Sequence, residues 1–190
     1  SFIVNAIHLQ TRIATKAARC GEAAQGRSLI DFALRRTHGT DAALKVARAS
    51  YLAGFDATSN VLAGRVYGIP ISGTMAHAYV ESFPDELEAF RAFAVSYPAH
   101  TVLLIDTYDT VHGGEHAAVV GQEMARRGHH LLGVRLDSGD MNALSKAVRV
   151  ILDQAGLHDV QIVASGSFDE DSIDAAVRGG ACIDAFGVGT

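Results

Sequence analysis

Cysteine is scarce in this sequence: Cys20 and Cys182 are the only two in 190 residues. They stand far apart, with no Cys-x-x-Cys pair and no Cys/His ligand spacing around them. That excludes a disulfide framework and a structural zinc site, and leaves two buried thiols in a reducing compartment. No apolar run approaches the roughly 20 residues that a membrane span needs, and no signal peptide opens the chain. The expectation is a cytoplasmic protein with no membrane partner. A Lys/Arg stripe is also missing: 16 basic residues are scattered among 21 acidic ones, for a net charge of −5. A nucleic-acid face is therefore not expected, and a small anionic substrate has to be met by local arginines. The absence of Gly-x-Gly-x-x-Gly argues against a dinucleotide-binding first turn.

What is present fits an ordinary globular chain, 48% hydrophobic and 19% charged, read as one domain over residues 1–190. Short apolar runs alternate with helical patterns at the spacing of strand, crossover helix and parallel strand. Seven strands are expected: Leu29 to Leu34, Phe55 to Thr58, Ile69 to Ser72, Thr101 to Asp106, Leu131 to Leu136, Val160 to Ala164 and Ile183 to Val188. Between them, Asp140 to Ala155 shows one apolar face ended by Gly156, and Asp41 to Ala53 is ended by Gly54. A further helix is expected from Ser82, with Pro84 in its first turn, and another after a capping box formed by Ser167 and Glu170. The pattern predicts an α/β fold, an irregular TIM-like barrel in preference to an open doubly wound sheet. A full barrel takes about 250 residues, and the chain opens on Ser1 inside a helical pattern and stops in a Gly-rich turn. It is therefore expected to be incomplete at both ends.

Polar and small residues recur just after the strands: Arg35-Arg36, Thr58-Ser59-Asn60, Gly73-Thr74 leading to His77, Asp106 to Asp109, Arg135 to Asp140, Ser165-Gly166-Ser167 and Gly187 to Thr190. In a parallel barrel that register converges on one rim. Backbone N–H groups near helix starts at Gly166, Ser167, Gly187, Gly189 and Thr190 would favour anions. Asp106, Asp109, Asp137 and Asp140 could hold Mg²⁺ or ribose hydroxyls, although Asp140 equally suits an N-cap. The set suits a phosphorylated sugar with a metal ion. Spacing alone leaves His77 a core histidine, Arg35-Arg36 a solvated pair and Asn60 a helix cap. His112 and His116, with Glu115 between, could form a metal pair, but Gly113-Gly114 weakens that turn.

Taken together and in order, Ile13 to Arg19, Asp31-Phe32-Ala33-Leu34-Arg35-Arg36, Thr58-Ser59-Asn60-Val61, Gly73-Thr74-Met75-Ala76-His77, Leu104 to Thr110, Gly133 to Asp140, Ala164 to Ser167 and Phe186 to Thr190 resemble the nicotinate phosphoribosyltransferases. The resemblance implies a type II phosphoribosyltransferase that joins nicotinate to phosphoribosyl pyrophosphate, coupled to ATP hydrolysis, in a homodimer. It implies a phosphohistidine at His77 and catalytic roles for Asp106 and Asp137, with Mg²⁺ at one or both. It further implies substrate and phosphate binding by Arg35, Arg36, Ser59, Asn60, Thr74, Arg135, Gly166, Ser167, Gly187, Gly189 and Thr190. Ala33 stands where the family pattern usually has Gly, which is tolerable if its φ is negative. The neighbouring readings are a nicotinamide or quinolinate phosphoribosyltransferase, or a catalytically incomplete scaffold.

Overall fold

Val, Ile and Leu dominate the short runs that end at or run into Asp or Ser, and each run forms a strand buried among helices, as parallel β-structure requires. The computed structural model describes residues 2–189, and its chain divides into two compact units.

The first unit comprises the chain up to Gly73, Ser165–Gly179 and the segment from Ala185. It holds α1 (Phe2–Ala24), β1 (Ser28–Asp31), a 3-10 turn (Leu34–Arg36), α2 (Thr40–Leu52), β2 (Ala57–Thr58), and α3 (Val61–Tyr67). From the later part of the chain it takes α8 (Glu170–Arg178) and β6 (Ala185–Val188). β1 lies between β2 and β6 in parallel, with Asp31 opposite Thr58 on one side and Val188 on the other. α1 packs on α2 and α8, and Lys16 and Arg19 reach Glu170 at 3.3 and 3.6 Å.

The second unit comprises Thr74–Ala164 and Gly180–Asp184. Its elements are α4 (His77–Val80), α5 (Glu86–Ser96), β3 (Val102–Leu104), α6 (Thr110–Arg126), β4 (Gly133–Leu136), α7 (Met141–Gln154) and β5 (Gln161–Ala164). β4 runs parallel to β3 and β5 on either side. Phe90, Leu103, Leu104, Ile105, Leu136, Leu152 and Ile162 are fully buried and form its core. Gly113 is required where the start of α6 meets Ile105 just after β3, since a Cβ there would run into the Ile105 carbonyl. Gly113 thus seats the helix against Ile105, whereas a Cβ on Gly114 would meet only side chains at ordinary contact distance.

Six strands are described where seven were expected. Ile69 to Ser72 contributes a single bridge, Thr58 to Ile71, because Pro70 has no N–H to extend the ladder. β1 stops at Asp31, not Leu34, because the Asp31 carboxylate accepts the Ala33 N–H at 2.9 Å and turns the chain. The helix expected from Ser82 begins at Glu86, capped by Asp85. The capping box expected at Ser167/Glu170 is formed instead by Asp169 and Ser172, because Gly166 and Ser167 both adopt positive φ and delay the helix start. Ala33 has φ −78°, so the methyl group in place of glycine carries no backbone strain. No helix among the described residues is long and apolar enough to cross a membrane.

Candidate active site

In the second unit the site grows from the carboxyl ends of β3 and β4. Ile105 donates its N–H to the Arg135 carbonyl at 3.0 Å, which carries the chain directly into Asp106. The Asp106 side chain is 1% exposed, and a carboxylate so buried needs partners for its lone pairs. Its Oδ1 faces His77 Nε2 at 3.3 Å. Its Oδ2 accepts the Asp137 N–H at 3.1 Å and the Ser138 hydroxyl at 2.6 Å. His77 opens the single turn of α4, and its side chain is 40% exposed. One edge of the imidazole is thus tied to a buried anion while the ring remains open to a reactant.

Arg135 alternates with Val134 and Leu136, which are both fully buried in the core. Its guanidinium donates to Thr74 Oγ1 at 2.8 Å and to Asp137 Oδ1 at 2.6 Å. Thr74, Arg135 and Asp137 therefore form one chain of contacts, and Asp137 links it to Asp106 through the backbone. Asp109 and Asp140 serve as N-caps of α6 and α7, each using Oδ1 for backbone N–H groups.

Both Asp106 oxygens are engaged by protein donors, and Asp137 Oδ1 by Arg135. Among the described residues no group of three or more His, Cys, Asp or Glu side chains could hold a metal ion. That includes His112 and His116, whose rings pack edge to face with centroids 4.6 Å apart. Their Nδ1 atoms are turned to Glu115 at 3.1 Å and to Glu86 at 3.0 Å. Burial pushes the Glu86 carboxyl up against the opposing pull of His116.

In the first unit the centre of the network is Asp31, whose role no local sequence pattern signals. It is 2% exposed. Its Oδ2 accepts the Thr58 hydroxyl at 2.7 Å, and Thr58 Oγ1 in turn accepts the Asn60 N–H at 3.0 Å. Asn60 is buried, and its side-chain oxygen caps α3 on the Ala63 N–H at 3.1 Å. Ser59 donates its N–H to the Asp31 carbonyl at 2.8 Å. Burial raises the Asp31 carboxyl above its ordinary range, outweighing the Thr58 and Ala33 hydrogen bonds that would lower it.

Arg35 and Arg36 are exposed on the 3-10 turn that follows. Arg36 Nη2 lies 3.5 Å from Ser167 Oγ, where Gly166 and Ser167 have φ of 100° and 60° ahead of α8. A cationic fork beside a left-handed Gly-Ser turn has donors that can meet an anion. Arg36 also lines a cavity of about 550 Å³ together with Asp31, Lys16, Cys20, Val188 and Gly189. Burial pushes the Cys20 thiol up to about 11, so it is inert near neutrality. Gly187 lies within β6, away from any helix start. A Cβ on Gly187 would sit 2.6 Å from the Phe32 ring, and one on Gly189 2.8 Å from the Phe32 carbonyl oxygen. Both glycines make room for Phe32, Gly187 for its ring and Gly189 for its carbonyl. Thr190 lies outside the described residues.

The model of the nicotinate phosphoribosyltransferase (NAPRTase) family matches residues 27–190. The chain is 54% identical over 190 residues to nicotinate phosphoribosyltransferase pncB2 of Mycobacterium tuberculosis, covering 100% of this chain and 41% of that protein. It is 44% identical over 189 residues to the nicotinate phosphoribosyltransferase of Bacillus subtilis, covering 99% and 38%. Human nicotinic acid phosphoribosyltransferase superposes with a TM-score of 0.86 at 29% identity, over 95% of this chain and 47% of that one. The nicotinate-nucleotide pyrophosphorylase of Pyrococcus furiosus gives 0.82 at 31%, over 95% and 46%. The chain thus spans about two fifths of the length of the curated relatives it matches.

Proposed function

This chain belongs to the nicotinate phosphoribosyltransferase family, and from that premise we propose that it forms part of an enzyme making nicotinate mononucleotide from nicotinate and phosphoribosyl pyrophosphate, with ATP as co-substrate, in NAD biosynthesis. The observation that carries the proposal is the contact between His77 Nε2 and the buried Asp106 carboxylate. A carboxylate only accepts hydrogen bonds, so the proton of the neutral imidazole resides on Nε2 and the lone pair on Nδ1. Nδ1 attacks the γ-phosphorus of ATP, the bond from that phosphorus to the β–γ bridging oxygen breaks, and ADP leaves. Water later cleaves the P–N bond and releases phosphate.

In the transfer itself, the nicotinate ring nitrogen displaces pyrophosphate from the anomeric carbon, which passes through cationic character. No protein nucleophile toward the sugar is needed, so catalysis rests on positioning and electrostatics. Arg35 and Arg36 are assigned to the anionic groups, a phosphate or the nicotinate carboxylate, and the Ser165–Ser167 turn to phosphate. Asp137, held by Arg135, is assigned to the ribose hydroxyls. Magnesium enters with pyrophosphate as part of the substrate, in keeping with the engaged oxygens of Asp106. The same reading carries a homodimer, a closed barrel and a cytoplasmic location.

The test is an assay of the longest natural form of the protein with nicotinate, nicotinamide or quinolinate, each with phosphoribosyl pyrophosphate and with or without ATP. Nicotinate consumption that ATP stimulates is the expected result. Consumption of either other base in its place transfers the site to that activity, and consumption of none leaves a folded scaffold.

A further inference from the structure

Asp106 can orient His77 only if its own carboxyl plane is fixed. An aspartate χ2 is a broad, soft torsion, and Asp106 holds His77 through Oδ1 alone. The fixing falls to Oδ2, which receives the Asp137 N–H at 3.1 Å and the Ser138 hydroxyl at 2.6 Å. The hydroxyl contact is the shorter of the two and has the length of a charge-assisted O–H···O⁻ bond. Ser138 is an exposed residue on the turn after β4, where water could satisfy its hydroxyl. It instead bonds inward to a carboxylate that is 1% exposed. Gly139, with φ 89°, turns the chain immediately after it and leads to the Asp140 cap of α7. The turn therefore holds the serine between a strand end and a helix start.

We infer that Ser138 is a positioning residue for the phosphoryl-accepting histidine, acting through Asp106: its hydroxyl and the Asp137 N–H pin Oδ2, which aims Oδ1 at His77 Nε2 and keeps the Nδ1 lone pair free. The inference rests on the proposed role of His77 in ATP use, but its structural half, control of the imidazole tautomer, can be read without ATP. Loss of the hydroxyl leaves Oδ2 with one amide donor, so the carboxyl plane rotates and Nε2 loses a fixed acceptor. The neutral ring then divides between its two tautomers, and the reactive form is depleted.

The experiment measures the ring ¹⁵N shifts of His77 in the dimer-competent protein, alongside labelling by γ-labelled ATP, for wild type, Ser138→Ala and Ser138→Thr. Wild type is expected to show the Nε2–H tautomer. Ser138→Ala should show a mixture, with the labelling rate down about tenfold, the equivalent of one hydrogen bond to a charged group, and the KM for ATP unchanged. Ser138→Thr, which restores a hydroxyl, should restore both readouts. An unchanged tautomer in Ser138→Ala overturns the inference, as does a shift that threonine fails to reverse. If His77→Asn still becomes labelled while Ser138→Ala alters the tautomer, the phosphohistidine reading fails and the positioning of His77 by Ser138 stands.

Discussion

Thr58 donates its hydroxyl to Asp31 Oδ2 at 2.7 Å, and both side chains are buried where β2 and β1 run side by side. The bond supports ionised Asp31, yet burial dominates and leaves its pKa raised above the ordinary 3.8. Over the interval from about 3.8 up to that raised value, the native state keeps a proton that the unfolded state has released. Stability from this group is thus present at the acid end, falls as pH rises through the interval and is level above it. Asp31→Asn mimics the protonated form and should remove that fall. Urea midpoints taken at several pH values should show the mutant gaining on wild type as pH rises, whereas parallel curves would contradict the assignment.

Arg35 and Arg36 offer the first unit's exposed cationic fork beside the Gly166-Ser167 turn. Replacing either by Ala should lower kcat/KM for nicotinate or phosphoribosyl pyrophosphate by more than about tenfold, about 1.4 kcal/mol of transition-state binding. Steady-state kinetics of the two single mutants provide the check, and unchanged values in both would refute the anion-binding role.

With γ-labelled ATP and Mg²⁺ the wild-type protein should acquire a label that is lost in acid and kept in alkali, as a phosphoramidate would be. His77→Asn should abolish both the label and ATP stimulation. Slow, ATP-independent phosphoribosyl transfer is expected to survive, because the sugar chemistry uses other groups. A mutant that still labels and still responds to ATP would return His77 to a structural role.

Gly113 lies against the Ile105 carbonyl with no space for a methyl group. Gly113→Ala should destabilise the fold by about 2–3 kcal/mol, at the upper end for overpacking, because the obstacle is backbone. Denaturant unfolding would measure it. Gly114→Ala, whose Cβ meets only side chains at 3.5 Å or beyond, should cost much less.

The strands were legible because each is a short apolar run ended by a polar residue. Their limits were not, because those depend on particular bonds: Asp31 to the Ala33 N–H, and a proline that leaves one bridge where a strand was expected. Order along the chain pointed to His77 and Asp106, and the sequence offered Asp106 to catalysis, to a metal or to ribose hydroxyls. Its occupation by His77, Asp137 and Ser138 comes from residues 29 to 32 positions away, a relationship that no local pattern encodes. Asn60 illustrates the opposite case: Asn before an apolar helix is a local capping signal, and the structure uses it so. The making of room for Phe32 by Gly187 and Gly189 joins strands far apart in sequence and was likewise out of reach.

The contact of Gly113 with Ile105 has a further effect on how this part of the fold can open. Main chain rests directly on main chain there, and the Gly113 N–H is already held by the Asp109 carbonyl at 2.8 Å. No intervening side chain can change rotamer to let the helix start fray by itself. The first turn of α6 and the end of β3 are therefore expected to open together, with matching amide-exchange protection, and Asp106 stands at the boundary of that unit.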